Sequence, residues 1–221
     1  MFERIKNALA ARQGRKPASD GIQRWASGHH LAHQCRPDGG FVISGLWMDR
    51  LFRVECAPST RSYIQGFELK AKAELAVTHE VGLVLMNRAL KRTFEAQANA
   101  LYEDATDALK TRTRQLPEEV RWLSMYRDAG WPGPDDEFWA RYAVLTDAAD
   151  VARNGLDAEA IGLLMEWPAP AHERTPMLFM LNRGNSYLRM QLAQPGDEAV
   201  AVHALKTFGH FTSRFASLLA R

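Results

Sequence analysis

Between residues 67 and 75 the chain alternates strictly. Phe67, Leu69, Ala71, Ala73 and Leu75 are interleaved with Glu68, Lys70, Lys72 and Glu74. Side chains of a strand point to opposite faces in turn, so this stretch reads as a ribbon with one buried and one wet side. Weaker period-two runs precede it at 41–47 and 51–56, divided by the tight connection Met48-Asp49-Arg50, and Pro58 lies in the polar loop that follows. Two further apolar runs, 176–181 and 187–192, flank Asn182-Arg183-Gly184-Asn185-Ser186, where Asn and Gly tolerate positive φ, and predict a hairpin.

Elsewhere the spacing is helical. Phe2, Ile5 and Leu9 suggest a short amphipathic helix, and Ser19 or Asp20 caps a second that carries Ile22 and Trp25. Leu83, Met86, Leu90, Phe94, Ala98, Leu101, Ala105 and Leu109 form one stripe and predict a single long helix over 78–110. Pro117 with two following acids opens another helix. Asp135 or Asp136 caps a third, lined by Phe138, Tyr142 and Leu145 and closed by Asn154-Gly155, and Asp157 opens a short fourth. After Pro195-Gly196, Asp197 caps a terminal helix with Ala201, Leu205, Phe208, Phe215 and Leu219 on its buried side. The expected architecture is one α+β domain over 1–221. An antiparallel sheet of about five strands packs on a long central helix and a C-terminal helix, with a helical insert over 116–170.

Composition adds constraints. Of 221 residues 46% are hydrophobic and 24% charged, enough apolar material for a continuous core. The net charge of +2 is too small for the field by which dedicated nucleic-acid binders gather a polyanion. Two cysteines, Cys35 and Cys56, argue against a disulfide scaffold, and no apolar run reaches the ~20 residues of a membrane span, so a cytoplasmic setting is expected. No cofactor is expected.

Four groups of residues carry candidate chemistry. His29, His33 and Cys35, with His79 as a further ligand, are the densest set of metal-binding side chains, but their spacing fits neither a structural nor a catalytic zinc template. Glu68 and Lys70, with Asp49 in an earlier turn, form an acid-x-Lys pattern that also reads as an ordinary solvated strand face. Arg50, Arg53 and Arg61 flank a polar loop suited to holding an anion through charge-assisted bonds, though no glycine-rich cradle opens a helix there. Trp122, Trp131 and Trp139 offer either a binding pocket or plugs between short helices.

Two resemblances follow from the order of elements. Helix, antiparallel strands, acid-x-Lys strand and helix resemble the core of restriction-type endonucleases. That resemblance implies a divalent metal on Glu68, with Asp49 as a further acid and Lys70 orienting the attacking water. With the insert set aside, the order resembles the type III secretion chaperone fold, which implies a dimeric sheet protein that binds an unfolded segment of a client. The favoured expectation is a non-enzymatic, chaperone-like protein-binding module, homodimeric, with a protein partner. A metal-dependent nuclease using Glu68 and Lys70 is the alternative.

Overall fold

The computed structural model describes residues 20–77, 80–107 and 118–220. In chain order these form α1 (Asp20–Gly28), β1 (Ala32–Cys35), β2 (Phe41–Trp47), β3 (Arg50–Pro58), β4 (Phe67–Glu74), β5 (Leu83–Asn87), α2 (Arg88–Asp107) and α3 (Glu118–Met125). Then follow β6 (Arg127–Ala129), α4 (Asp136–Arg141), β7 (Tyr142–Thr146), α5 (Ala149–Gly155), α6 (Ala158–Met165), β8 (Met177–Asn182), β9 (Asn185–Leu192) and α7 (Glu198–Leu219). The class is α+β. All nine strands join one sheet in the order β1-β2-β3-β4-β9-β8-β5-β7-β6, and every pairing is antiparallel.

The sheet is wider than the five strands expected: the short strands β1 and β6 lie at its two edges, and two more strands come from stretches read as helix. Residues 83–87, placed in the long helix by the spacing of Leu83, Met86 and Leu90, are β5; the helix begins only at Arg88. Residues 142–146, read as one helix face, are β7. Every residue of both strands is buried, because each lies between two neighbours with side chains packed on both faces. Such a strand needs no polar alternation, and Leu-x-x-Met spacing then fits a helix equally well. The segment read as a helical insert therefore also supplies β6 and β7. Among the described residues five strands, β1 to β5, precede α2. The stretch carrying Phe2, Ile5 and Leu9 lies outside the described residues, as do His79 and Leu109.

Local patterns place the other elements correctly. The β8–β9 connection is tighter than its five-residue polar stretch suggested: Asn182 pairs with Asn185, so only Arg183 and Gly184 turn, at φ 49° and 69°. Two left-handed residues match the right-handed twist of the flanking strands, and glycine takes the second at no steric cost. Asp197 precedes α7 as expected, but its side chain accepts from the Gln194 N–H and makes no cap bond to the helix.

Both faces carry core. On the first, Phe52, Val54, Leu69, Phe179 and Leu188 meet Ile22 and Trp25 of α1 and Leu205, Phe208, Phe211 and Phe215 of α7. Each such side chain contributes on the order of 1.5–3 kcal/mol by leaving water. On the second face, Val84, Met86, Leu145, Leu178 and Met180 meet Leu90 and Phe94 of α2 and Trp122 of α3. Several polar groups caught in the first layer are paired: Ser186 Oγ lies 2.8 Å from Thr212 Oγ1, and Tyr142 donates to the Leu164 carbonyl while accepting from Trp167 Nε1. Asn87 Nδ2 donates to the carbonyls of Glu173 and Thr175, pinning that segment over the sheet end.

Candidate functional site

The second face is covered unevenly. Its apolar cluster lies on β8, β5 and β7, under α2 and α3, with Tyr187 of β9 at its border. On β4, β3 and β2 the residues that alternate with the first-face core are instead mostly polar or exposed. Register arranges them in rows. Val42, Glu55, Lys70 and Arg189 lie side by side; the next row toward the β2–β3 turn holds Ser44, Arg53, Lys72 and Tyr187. Beyond it Leu46 faces Leu51, 57% and 61% exposed. Met48, in the turn at φ 51°, is 54% exposed.

Glu55 organises the middle of this surface. Its carboxylate lies 2.7 Å from Arg36 Nη1, 3.3 Å from Lys70 Nζ and 3.9 Å from Arg53 Nη2. One row further, Glu68 is 8% exposed and accepts from Arg61 Nε at 3.2 Å. Arg36 also holds Asp38, whose carboxylate accepts the Gly40 N–H; these two bonds keep the Asp38 carboxyl below its usual range. Between these groups lies a concavity of about 380 Å³ lined by Arg36, Asp38, Glu55, Pro58, Glu68 and Lys70. On the other side, Arg189 reaches Glu118 at 3.7 Å and lies 6.0 Å from the Trp122 ring, joining the open strands to α3.

Of the residues expected to form a nuclease centre, Glu68 and Lys70 line one concavity and Asp49 lies far from both. Glu68 pairs in register with Ala57 and Lys70 with Glu55, while Asp49 sits in the turn before Arg50. At about 3.3 Å per residue, the seven steps from Arg50 to Ala57 put Asp49 and Glu68 more than about 20 Å apart. Glu68 and Lys70 do share a face, as alternation implied, yet each is engaged by a different partner. Glu68 is also buried, contrary to a uniformly wet side.

The metal candidates disperse as well. His29 packs against the stacked pair of Trp25 and Trp47, at 4.6 and 4.7 Å, and partial desolvation there, with His30 beside it, lowers its pKa although the residue stays exposed. His33 sits on β1 against Phe41, and Cys35 is exposed on the same strand. Among the described residues no group of three His, Cys, Asp or Glu side chains is placed to hold a metal ion. Of the arginines, Arg50 lies at the turn end of β3 and Arg61 beyond its other end, so Arg50, Arg53 and Arg61 do not enclose one anion. Trp122 belongs to the second-face core, whereas Trp131 and Trp139 meet edge to face at 5.0 Å and pack against the first-face core. They fill seams on opposite sides of the sheet.

Sequence reasoning passed over Leu46, Leu51, Glu55 and Arg189 as members of a common surface. The alternation of Arg53 and Glu55 with Phe52, Val54 and Cys56 was the available signal.

No family model matches the chain, and no curated protein matches it. Among solved structures, the chain is similar to the mycobacterial trehalose monomycolate transport factor A, TtfA. The likeness spans 90% of this chain and 95% of that one, at 12% identity and a TM-score of 0.46. Among the described residues no helix is long and apolar enough to cross a membrane.

Proposed function

We propose that the chain is a non-catalytic protein-binding module whose receiving surface is the open part of the second face, on β2, β3 and β4. The observation that supports this reading is the uneven cover of the sheet. α2 and α3 bury β5, β7 and β8, whereas the neighbouring strands present a mixed charged and apolar surface with a central concavity. Interfaces of non-obligate complexes have this character, with a few apolar anchors among polar groups. Around the concavity Glu55 is tied to Arg36 and Lys70, and Glu68 to Arg61, which gives a shaped, fixed surface in place of a reactive centre.

The same reading includes a homodimer joined through β1. This strand ends the sheet, is mostly exposed, and carries backbone groups on its outer side that a second strand can satisfy. Light scattering across a concentration series tests the dimer, and a mass of one chain at high concentration removes it.

Selection of a displayed random-peptide library on the immobilised full chain tests the binding surface. Enriched peptides should lose binding to Leu51→Asp and to Lys72→Glu. No enrichment, or enrichment indifferent to both substitutions, refutes the reading.

A further inference from the structure

We infer that the segment received by this face is acidic and amphipathic, with its carboxylates on Arg53 and Lys72 and an apolar side chain on Leu46 and Leu51. The inference rests on the protein-binding reading above and names the partner's chemistry.

Arg53 and Lys72 are directly opposite one another on β3 and β4 and project from the same face. Like charges at such a position disfavour the sheet unless a counter-charge lies near. Glu55 supplies little of it. Arg36 and Lys70 approach its carboxylate more closely than Arg53, whose side chain is 62% exposed. Lys72 is exposed and lies 6.0 Å from the Tyr187 ring, and among the described residues it forms no ion pair. A stacked ammonium and a splayed guanidinium on neighbouring strands are two donors without a full acceptor, held by backbone pairing in fixed register. Carboxylates are the acceptors that suit them.

The apolar requirement comes from the adjoining row. Among the described residues four large hydrophobics are strongly exposed, and three of them, Leu46, Met48 and Leu51, belong to this one hairpin. Leu46 and Leu51 stand two residues along the strands from Ser44 and Arg53. That step is about 6.6 Å, the spacing of alternate side chains in an extended peptide. An extended segment with an acidic and an apolar residue two positions apart, on one face, can therefore engage both rows at once.

A broad anionic surface such as a membrane fits less well. Glu55, Glu68 and Glu74 share the face with the cations, and Asp49 sits at the tip, so a flat sheet of phosphates meets repulsion that a narrow segment avoids.

The test measures anisotropy of a short labelled peptide in which glutamate and leucine stand two positions apart, separated by serines (Glu-Ser-Leu-Ser repeated), with the full chain. Parallel arms use the same peptide with lysine for glutamate, the same peptide with serine for leucine, and phosphatidylglycerol vesicles. Binding of the Glu-Leu peptide should exceed that of either altered peptide by roughly tenfold. It should fall by roughly tenfold in Arg53→Glu/Lys72→Glu and in Leu46→Ser/Leu51→Ser. It should also weaken as salt is raised. All four positions are exposed, and circular dichroism checks that the variants fold. Equal binding of the lysine peptide, indifference to the paired variants, or saturable binding to vesicles in place of the peptide overturns the inference. So does self-association of the chain that both paired variants abolish, since a second copy is then the occupant. If the library selection enriches neutral or basic peptides that depend on Leu51, this inference fails and the protein-binding reading stands. If it enriches nothing, both fail.

Discussion

Gly155 closes α5 with its Cα against the ring of Phe215 on α7, and replacing it with alanine sets two effects in opposition. Alanine favours a helix over glycine by up to ~1 kcal/mol in a helix interior, and by less at the last residue. The added Cβ, however, would lie 2.1 Å from Phe215 Cζ and 2.3 Å from Cε1. Ordinary carbon contacts are about 3.5–4.0 Å, so ring or helix must give by more than ~1 Å. The ring has little room, since Phe215 is 0% exposed and the Phe211 ring centroid is 4.6 Å away. Overpacking of this kind costs ~1–3 kcal/mol. Steric cost wins, and Gly155→Ala should destabilise by about 1–2 kcal/mol, lowering Tm by roughly 2–8 °C for a chain of this size. Urea unfolding followed by far-ultraviolet circular dichroism measures it. In the double-mutant cycle with Phe215→Leu, the smaller side chain should remove most of the clash, giving a coupling of at least ~0.5 kcal/mol. A stabilised Gly155→Ala protein, or strict additivity, refutes the α5–α7 contact as described.

Other consequences are readily measured. Cys35 is exposed, while burial pushes the Cys56 thiol up to about 12; a chromogenic disulfide reagent should therefore titrate one thiol in the native chain and two in denaturant, and two rapid native thiols would contradict the core. Partial desolvation against two tryptophans and the neighbouring His30 lower the His29 pKa from 6.5, so the unfolded state takes up this proton first and the neutral ring favours folding. Stability from this group should be complete above pH 6.5 and decline as pH falls through the lowered value; a proton NMR midpoint at or above 6.5 would refute that. Asp135 accepts the Phe138 N–H at 2.8 Å as the N-cap of α4, and Asp135→Ala should cost ~0.5–2 kcal/mol in thermal unfolding, with an unchanged Tm counting against the cap.

What could be read from the chain alone was whatever local period or turn chemistry decides. The alternation at 67–75 specified β4 and assigned Lys70 and Lys72 to one face, the apolar spacing of 201–219 specified α7, and Asn-Arg-Gly-Asn marked the β8–β9 turn. Each is a short-range effect, complete within a few residues. β5 and β7 lie beyond that reach: an all-apolar stretch acquires its conformation from the strands on either side, and Leu83 and Tyr142 look alike to a helix and to a doubly covered strand. The candidate surface is likewise a product of long-range register. Arg53 is marked as outward-facing by its neighbours, but its position opposite Lys72 depends on how β3 and β4 align. The exposure of that half of the face depends on α2 and α3 settling over β5, β7 and β8 instead. Tertiary packing decides which apolar stripe meets which strands, because burial is non-directional and selects partners by shape and register across the whole chain.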